Sequence, residues 1–260
     1  MTVHTIRVAK DLRALEKRLR RFFDPFREDK RELCHFIDAV SEWREVFIFG
    51  GCVRDIALFG ARSFDSDIDI VYDGTPTELS SALKGYSTIK NRYGGYKVSL
   101  GFWELDIWPI AETWAFKEGL VSFLGVESLL DTTITNWDSA LFSWSKKRVV
   151  CLENYLTDLD KGYLDIVLRE NPNRVGALIK ILRTIILKNT VWLSPNICHY
   201  IDEGLNEVGW EKIEKEEGRS YNEVYINERL ISYIKQVVES NKDSIVDAQI
   251  GEFYKTERLV

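Results

Sequence analysis

The sequence predicts an α+β protein in which a small mixed β-sheet with flanking helices precedes an all-α C-terminal domain. Three observations support this. Short apolar runs that end at glycines, typical of strands, alternate with helix-like segments within residues 45–157. Helical periodicity occupies residues 1–44, and it returns as the main pattern from residue 158 to residue 260. We therefore expect N-terminal helices (1–44) packed on a sheet domain (45–157), followed by a helical domain (158–260).

The N-terminal region predicts two helices. In "DLRALEKRLRRFF" the apolar residues recur at helical spacing and form one stripe: Leu12, Leu15, Leu19, Phe22 and Phe23. Lysines and arginines fill the other side of this helix. Their cluster, Lys17–Arg21, is either a solvated helix face or a contact for phosphates. The segment "DKRELCHFIDAVSEW" predicts the second helix.

The predicted sheet domain has clear start and stop signals. "EVFIFGG" predicts a strand that ends at Gly50 and Gly51, and "CVRDIALFG" predicts a helix closed by a glycine. "SDIDIVYDG" predicts the next strand. "TPTELSSALKG" predicts a helix with Thr75 as N-cap and Glu78 as its capping-box partner. Between residues 86 and 110 we expect a strand, a Gly-Gly turn and one long strand.

Composition limits the classes of protein to which the chain can belong. A chain of 260 residues with 45% hydrophobic content can bury a sizeable core. The net charge of −6 gives no global basic field for a nucleic-acid partner, although a local basic groove is compatible with an acidic chain. Four scattered cysteines and three histidines lack zinc-ligand spacing. We expect a cytoplasmic protein that does not itself span a membrane, because no long apolar run or signal peptide is present.

Aspartates alternate with isoleucines in the strand "SDIDIVYDG". Side chains two apart in a strand point to the same face, so Asp67 and Asp69 project together. Two neighbouring carboxylates remain ionised when a cation lies between them, and oxygen ligands suit Mg²⁺ or Mn²⁺. Asp106, a single acid in an apolar strand centre, is a third candidate ligand, and Glu104 falls on its face. Three converging carboxylates suit a two-metal phosphoryl-transfer site; the alternative is an exposed polar strand face.

The Gly50–Gly51 pair lies where a strand leads into a helix. Glycines there let backbone N–H groups approach a phosphate, and the helix N-terminus adds a favourable dipole. Arg54, one turn into the helix, has the reach to contact a triphosphate; the alternative is an ion pair with Asp55 or a strand acid.

These residues resemble a known signature. "GGCVRDIALFG…DSDIDIV" is similar to the head-domain signature of the CCA-adding enzymes and bacterial poly(A) polymerases, which belong to the DNA polymerase β-like nucleotidyltransferase superfamily. The resemblance implies a nucleotidyltransferase head in which Gly50 and Gly51 bind the triphosphate. It implies that Asp67 and Asp69 hold two metal ions, Mg²⁺ or Mn²⁺, with Asp106 as the third carboxylate.

Later segments match this family less completely. "LLDTTITNWDSALFS" is similar to a family segment that contacts the nucleotide, with Asp131 and Asn136 at matching positions. Leu129 and Leu130 replace its two arginines. "NPNRVGALIKILRT" is similar to the neck helix that selects the incoming base, and its candidate residues are Arg174, Lys180 and Arg183. We expect a shortened relative with altered nucleotide selection.

The resemblance implies transfer of a nucleoside monophosphate, ribo or deoxy, from a triphosphate such as ATP to an acceptor hydroxyl, with release of pyrophosphate. The acceptor is a tRNA or other RNA 3′ end in one hypothesis, as in RNA processing. In another it is an oligonucleotide signal or a protein hydroxyl, as in toxins and antiviral defence, with an effector or antitoxin protein as partner. A non-catalytic nucleotide-binding scaffold is the remaining hypothesis, and an oligomer is possible in each.

Overall fold

The structure is a computed structural model that describes residues 6–60, 64, 67–221, 223–241 and 244–250. The chain divides into two compact units. Unit 1 comprises Met1–Thr133 and Trp137–Leu156, and unit 2 comprises Ile134–Asn136 and Thr157–Val260. The α+β class predicted from the sequence is confirmed by a seven-stranded mixed sheet with flanking helices.

Unit 1 contains the large sheet and most of the sequence motifs. Its helices and strands are α1 (Leu12–Phe22), α2 (Glu28–Ser41), β1 (Val46–Phe49), α3 (Gly51–Phe59), β2 (Ile68–Tyr72), α4 (Pro76–Ala82), β3 (Ser87–Lys90), β4 (Tyr96–Leu100), β5 (Trp103–Pro109), α5 (Trp114–Lys117), β6 (Ala140–Ser143) and β7 (Arg148–Cys151). The strand order is β3-β4-β5-β2-β1-β6-β7. Only β2 and β5 pair in parallel among these neighbours.

Local sequence signals account for the helix ends in unit 1. The Thr75 hydroxyl accepts a hydrogen bond from the Glu78 backbone N–H, and the Glu78 carboxylate accepts one from the Thr75 backbone N–H. The predicted capping box of α4 is therefore confirmed. Helix α3 ends at Gly60, whose φ of 75° is a left-handed conformation that glycine adopts readily.

The prediction of one long strand after the Gly-Gly turn is wrong. The structure has two antiparallel strands, β4 and β5, in which Leu100 pairs with Trp103 across a two-residue turn. Gly101 begins this turn with a φ of 53°, a conformation that favours glycine in tight hairpins. The single glycine of "LGFW" was therefore a turn signal that the strand pattern on either side concealed.

The two faces of the large sheet differ in composition. Ile68, Ile70, Leu105 and Ile107 are buried on one face, which α3 contacts. The other face carries Asp69 and Asp106 at one end. Along the same face lies an apolar cluster whose buried members are Phe47, Phe49, Val71, Ile110, Leu129, Leu130 and Leu141. Leu129 and Leu130 thus serve as core residues of unit 1.

Unit 2 is mostly helical. Helix α6 (Tyr155–Lys161) begins in unit 1 and continues into unit 2, which then contains β8 (Tyr163–Leu164), α7 (Arg174–Leu187), β9 (Trp192–Leu193), α8 (Pro195–Glu207), α9 (Trp210–Ser220), α10 (Glu228–Glu239) and β10 (Ala248–Gln249). The small sheet β10-β9-β8 departs from the all-α expectation. Its strands have two residues each, too few for the side-chain alternation that predicts a strand. Among the described residues, no helix combines the length and apolarity needed to cross a bilayer.

Candidate active site

The carboxylates predicted to act together lie on neighbouring strands of unit 1. Strand β2 runs parallel to β5, and in this register Asp69 is paired with Asp106. Paired residues of adjacent strands point to the same face, about 4.8 Å apart along the hydrogen-bonding direction. Asp67 precedes β2 by one residue and is exposed, whereas Asp69 and Asp106 are half-buried. The register therefore brings Asp69 and Asp106 side by side, with Asp67 two residues before Asp69 on the chain.

Asp106 has an electrostatic environment that disfavours its charged form. Burial raises the pKa of Asp106 above its ordinary value. The Lys97 ammonium opposes this shift, while the negative charges of Asp67 and Glu104 add to it. A cation placed among these groups would lower the pKa of Asp106, because it stabilises the carboxylate.

Lys97 is a basic residue of this face that the sequence analysis did not identify. It pairs with Asp106 across β4 and β5, and its ammonium lies 3.5 Å from a carboxylate oxygen of Glu104. The sequence analysis did not identify Lys97 because it missed the turn at Gly101. That turn folds β4 back against β5 and so sets the register that pairs Lys97 with Asp106. Lys97 compensates part of the negative charge.

The donor set fits a hard divalent cation in part. Carboxylate oxygens are the ligands that Mg²⁺ and Mn²⁺ prefer, and the register places two of them on one face. Across the described ranges, however, no three His, Cys, Asp or Glu side chains are arranged to hold a metal ion as they stand. A metal held by Asp69 and Asp106 therefore requires a side-chain rotation or another oxygen to complete its ligands.

The glycine pair forms the turn from β1 into α3, next to these carboxylates. Phe49, the last residue of β1, pairs with Asp69. Gly50 then adopts φ 65° and ψ −120°, a combination that L side chains rarely take, and its N–H donates to the Ala140 carbonyl at 2.9 Å. The N-cap of α3 is Gly50, which has no side chain to cap the first N–H groups of the helix. The turn places a helix N-terminus beside the carboxylate face.

Arg54 lies in a buried ion-pair network of unit 1. Its Nε donates to Asp55 at 2.8 Å, and its Nη1 donates to Asp138. Burial alone would lower the pKa of Arg54, but the carboxylates of Asp55 and Asp138 raise it above its ordinary value. The ion pair with Asp55, the alternative weighed from the sequence, is the observed arrangement. Arg54 thereby fixes α3 to the segment before β6.

Solved structures share this arrangement of elements. The chain superposes on a CCA-adding enzyme in complex with CTP with a TM-score of 0.59 at 17% identity, covering 92% of this chain and 56% of that one. For the Thermotoga maritima CCA-adding enzyme complexed with tRNA the TM-score is 0.54 at 12% identity, and the coverage is 90% and 61%. For a tRNA nucleotidyltransferase complexed with a primer tRNA and an ATP analogue the TM-score is 0.52 at 18% identity, and the coverage is 78% and 59%.

The chain has the fold of a CCA-adding enzyme. The resemblance predicted from the sequence is thus confirmed for the fold, and the chain spans about 56–61% of the length of these three structures. Neither a protein-family model nor a curated protein matches the sequence.

Two residues predicted from the later CCA-type segment lie in different surroundings. Asp131 is exposed in the 3₁₀ segment Val126–Thr132. Asn136 is buried, and its amide makes three hydrogen bonds in unit 2. The side chain donates to Asp158 at 3.0 Å and to the Tyr163 carbonyl at 3.2 Å, and it accepts one from the backbone of Asp165 at 2.9 Å. In this structure Asn136 therefore holds the start of unit 2 together.

The three candidate base-selecting residues of α7 do not share one helix face. Arg174 and Arg183 are nine residues apart, and at about 100° per residue they point in opposite directions. Arg174 is exposed and pairs with Glu207 at 3.0 Å. Lys180 is half-buried three residues before Arg183, so these two share a side of α7.

Arg183 is held by a network inside unit 2. Its Nη1 lies 2.5 Å from the carboxylate of Glu217, which is fully buried, and it donates to the Glu223 carbonyl at 2.9 Å. The guanidinium also stacks 3.9 Å from the centre of the Tyr221 ring and 5.0 Å from that of Tyr225. These contacts leave Arg183 as a structural residue in the arrangement observed.

Proposed function

We propose that this chain is a metal-dependent nucleotidyltransferase that moves a nucleoside monophosphate from a nucleoside triphosphate to the 3′ hydroxyl of an RNA, with release of pyrophosphate. The observation that carries the proposal is the parallel register of β2 and β5. It brings Asp69 and Asp106 together at the end of the sheet where β1 turns into α3. A CCA-type fold with these residue types at this position supports phosphoryl transfer more than any other chemistry.

Each group of the proposed site has a separate task. The turn at Gly50 and Gly51 presents the N–H groups of α3 to the triphosphate, whose negative charge the helix dipole favours. Asp67, Asp69 and Asp106 would hold Mg²⁺ or Mn²⁺, and that metal when bound activates the acceptor hydroxyl and offsets charge on the phosphates. Lys97, which pairs with Asp106 across the two strands, lowers the pKa of that carboxylate.

Arg54 has a positioning task in this proposal. The guanidinium is buried between two carboxylates, so it fixes the orientation of α3 and hence of its N-terminus. Turning the guanidinium of Arg54 away from Asp55 and Asp138 to reach a phosphate would break both ion pairs, which costs several kcal/mol for buried charges. We therefore assign triphosphate binding to the backbone of the Gly50 turn.

An RNA acceptor is the hypothesis that the comparisons favour. Two of the similar structures are complexes with tRNA, although they share only 12% and 18% of their residues with this chain. Nothing in the structure favours a protein hydroxyl or a defence role, and these stay predictions from the sequence.

An extension assay tests the proposal. The chain is incubated with each α-³²P-labelled ribo- or deoxyribonucleoside triphosphate, Mg²⁺ or Mn²⁺, and a short RNA or a tRNA, and the products are sized on a gel. We expect labelled RNA only when the metal is present, and none with Asp67→Ala plus Asp69→Ala. Asp73→Asn is the matched control, because Asp73 is an exposed aspartate just after β2 that takes no part in the site. Labelling that survives the double variant would contradict the proposal.

A further inference from the structure

A set of exposed cations on unit 1 is not used by the proposed active site. Of the cluster Lys17–Arg21, one member points inward: Arg18 donates to the Ala57 carbonyl at 2.7 Å and to the Arg7 carbonyl at 2.8 Å. The others face solvent with Arg13, because the opposite side of α1 is buried through Leu15, Leu19 and Phe22. One helix face thus carries four cations over about 12 Å: Arg13, Lys17, Arg20 and Arg21.

The turn between β6 and β7 extends this face. Arg20 donates to the Lys147 carbonyl at 3.3 Å, which ties α1 to the turn. Lys146 and Arg148 are exposed on the same turn. We call the six residues the basic surface: Arg13, Lys17, Arg20, Arg21, Lys146 and Arg148. On a chain of net charge −6, it is a local concentration of positive charge.

Three carboxylates lie near this surface, and among the described contacts only Glu16 pairs with one of its six cations, Arg148. Glu16 is buried, accepts from the Val149 N–H at 3.3 Å and lies 3.8 Å from Arg148. Glu45 accepts from the Ser145 N–H and the Ser143 hydroxyl, both at 3.0 Å. Asp38 accepts from the Trp144 indole at 2.7 Å.

The cations themselves are largely unpaired. In the parts of the chain that the structure describes, Arg13, Lys17, Arg21 and Lys146 form no side-chain ion pair or hydrogen bond. Four unpaired cations on one face repel one another, and no stabilising contact of their own side chains offsets this repulsion. A ligand with repeated negative charge removes that repulsion.

We propose that the basic surface binds the phosphodiester backbone of an RNA. Stable protein interfaces typically have an apolar core, and a helix that lies in a membrane surface buries an apolar face. Here the apolar side of α1 is buried in unit 1, and only Leu12 on that helix is an exposed large hydrophobic residue. Repeated cations without an apolar centre match a phosphate backbone.

The choice of RNA rests on the proposed function, whose acceptor is an RNA end. In the sheet order, β1 and β6 separate β7 from β2, which carries Asp69. Three strand spacings amount to about 14 Å within the sheet, and α1 packs on α3, on the side of the sheet opposite the carboxylates. The surface therefore acts as a second, sequence-independent contact for the acceptor, apart from the residues that touch the reacting atoms.

Fluorescence anisotropy with a labelled RNA hairpin, without nucleotide or metal, tests the surface. We expect Lys17→Glu plus Arg21→Glu to weaken binding about 10-fold or more. We expect the neutral pair Lys17→Gln plus Arg21→Gln to reduce the slope of log Kd against log salt by about 1.4–1.8. The control is Lys84→Gln plus Lys90→Gln, two exposed lysines at the β3 edge of the same sheet, which should change neither quantity.

Several results would overturn the proposal. Equal weakening by the control pair would mean that net charge alone drives binding. Wild-type-like binding by a folded Lys17→Gln plus Arg21→Gln variant would show that the basic surface does not bind RNA. Equal or tighter binding to phosphatidylserine vesicles or to polyglutamate would replace RNA by a lipid or acidic-protein partner. The chain could also bind RNA through Lys17 and Arg21 and yet show no transferase activity. That result would support the basic surface and contradict only the proposed function.

Discussion

Unit 1 contains two groups of carboxylates that lie in different electrostatic environments. Asp55 and Asp138 are buried and share the permanently charged guanidinium of Arg54. Asp69 and Asp106 are half-buried on neighbouring strands, and the cation that faces Asp106 is Lys97, an exposed lysine already 3.5 Å from Glu104. A buried group that carries its own counter-charge holds the fold together, whereas Asp106, for which burial and the charges of Asp67 and Glu104 outweigh the effect of Lys97, would gain from a further cation.

Breaking the first group should have the largest effect on stability. Arg54→Met removes the cation that pairs with two buried carboxylates, and we expect the free energy of unfolding to fall by about 3–5 kcal/mol. Urea denaturation measures this change. The control is Arg44→Met, which removes an exposed ion pair with Glu78, 2.6 Å apart, and should have a much smaller effect. Equal destabilisation by both variants would mean that the buried ion pairs contribute no more to stability than an exposed one.

Breaking the second group should have the opposite signature. Asp69→Asn and Asp106→Asn should each lower the rate of nucleotide transfer about 100-fold or more, because each removes a proposed metal ligand. Asp106→Asn should not lower the free energy of unfolding in metal-free buffer, because burial and the charges of Asp67 and Glu104 already disfavour its carboxylate. Transfer rates and urea midpoints measured on the same preparations check both parts. A variant that loses stability and activity together would place its aspartate in the structural group.

The turn between the two groups should show an intermediate effect. Gly50→Ala forces an L side chain into φ 65° and ψ −120°, although the added Cβ would lie 3.8 Å from the Asp138 carbonyl and meet no clash. We expect a backbone strain of about 1–3 kcal/mol, seen in thermal unfolding, and weaker triphosphate binding. Gly209→Ala is the control, since Gly209 has φ −61° and open space around it. An unchanged affinity for triphosphate in Gly50→Ala would show that the turn at Gly50 does not bind the triphosphate.

The smallest expected effect concerns the pH dependence of Asp106. Its raised pKa contributes stability that is fully present below the ordinary aspartate value of 3.8 and is lost as the pH rises through the raised value in the folded chain. Lys97→Met removes the opposing charge, so the pKa of Asp106 should rise further. An NMR titration of the Asp106 carboxyl in both chains measures the shift. A pKa that falls or stays constant in Lys97→Met would show that Lys97 does not act on Asp106.

The strand and helix starts around Gly50, Thr75 and Asp69 were predictable, because glycine turns, capping boxes and alternating side chains are local signals. The register that joins Asp69 to Asp106 depends on which strands are neighbours, and this is not a local property. Lys97 was missed for a related reason, since the Gly101 turn lay between two strand-like patterns. The partners of Arg54 and Arg183 lie 84 and 34 residues away, at Asp138 and Glu217, so their burial had no signal in the motif itself.

Metal binding measured by electron paramagnetic resonance tests the central claim most directly. Titration of the chain with Mn²⁺ should show bound metal in the wild type and strongly reduced binding in Asp69→Asn and Asp106→Asn. The Asp73→Asn control should bind Mn²⁺ like the wild type. Equal Mn²⁺ binding in the wild type, Asp69→Asn and Asp106→Asn would contradict the assignment of these carboxylates as the metal site.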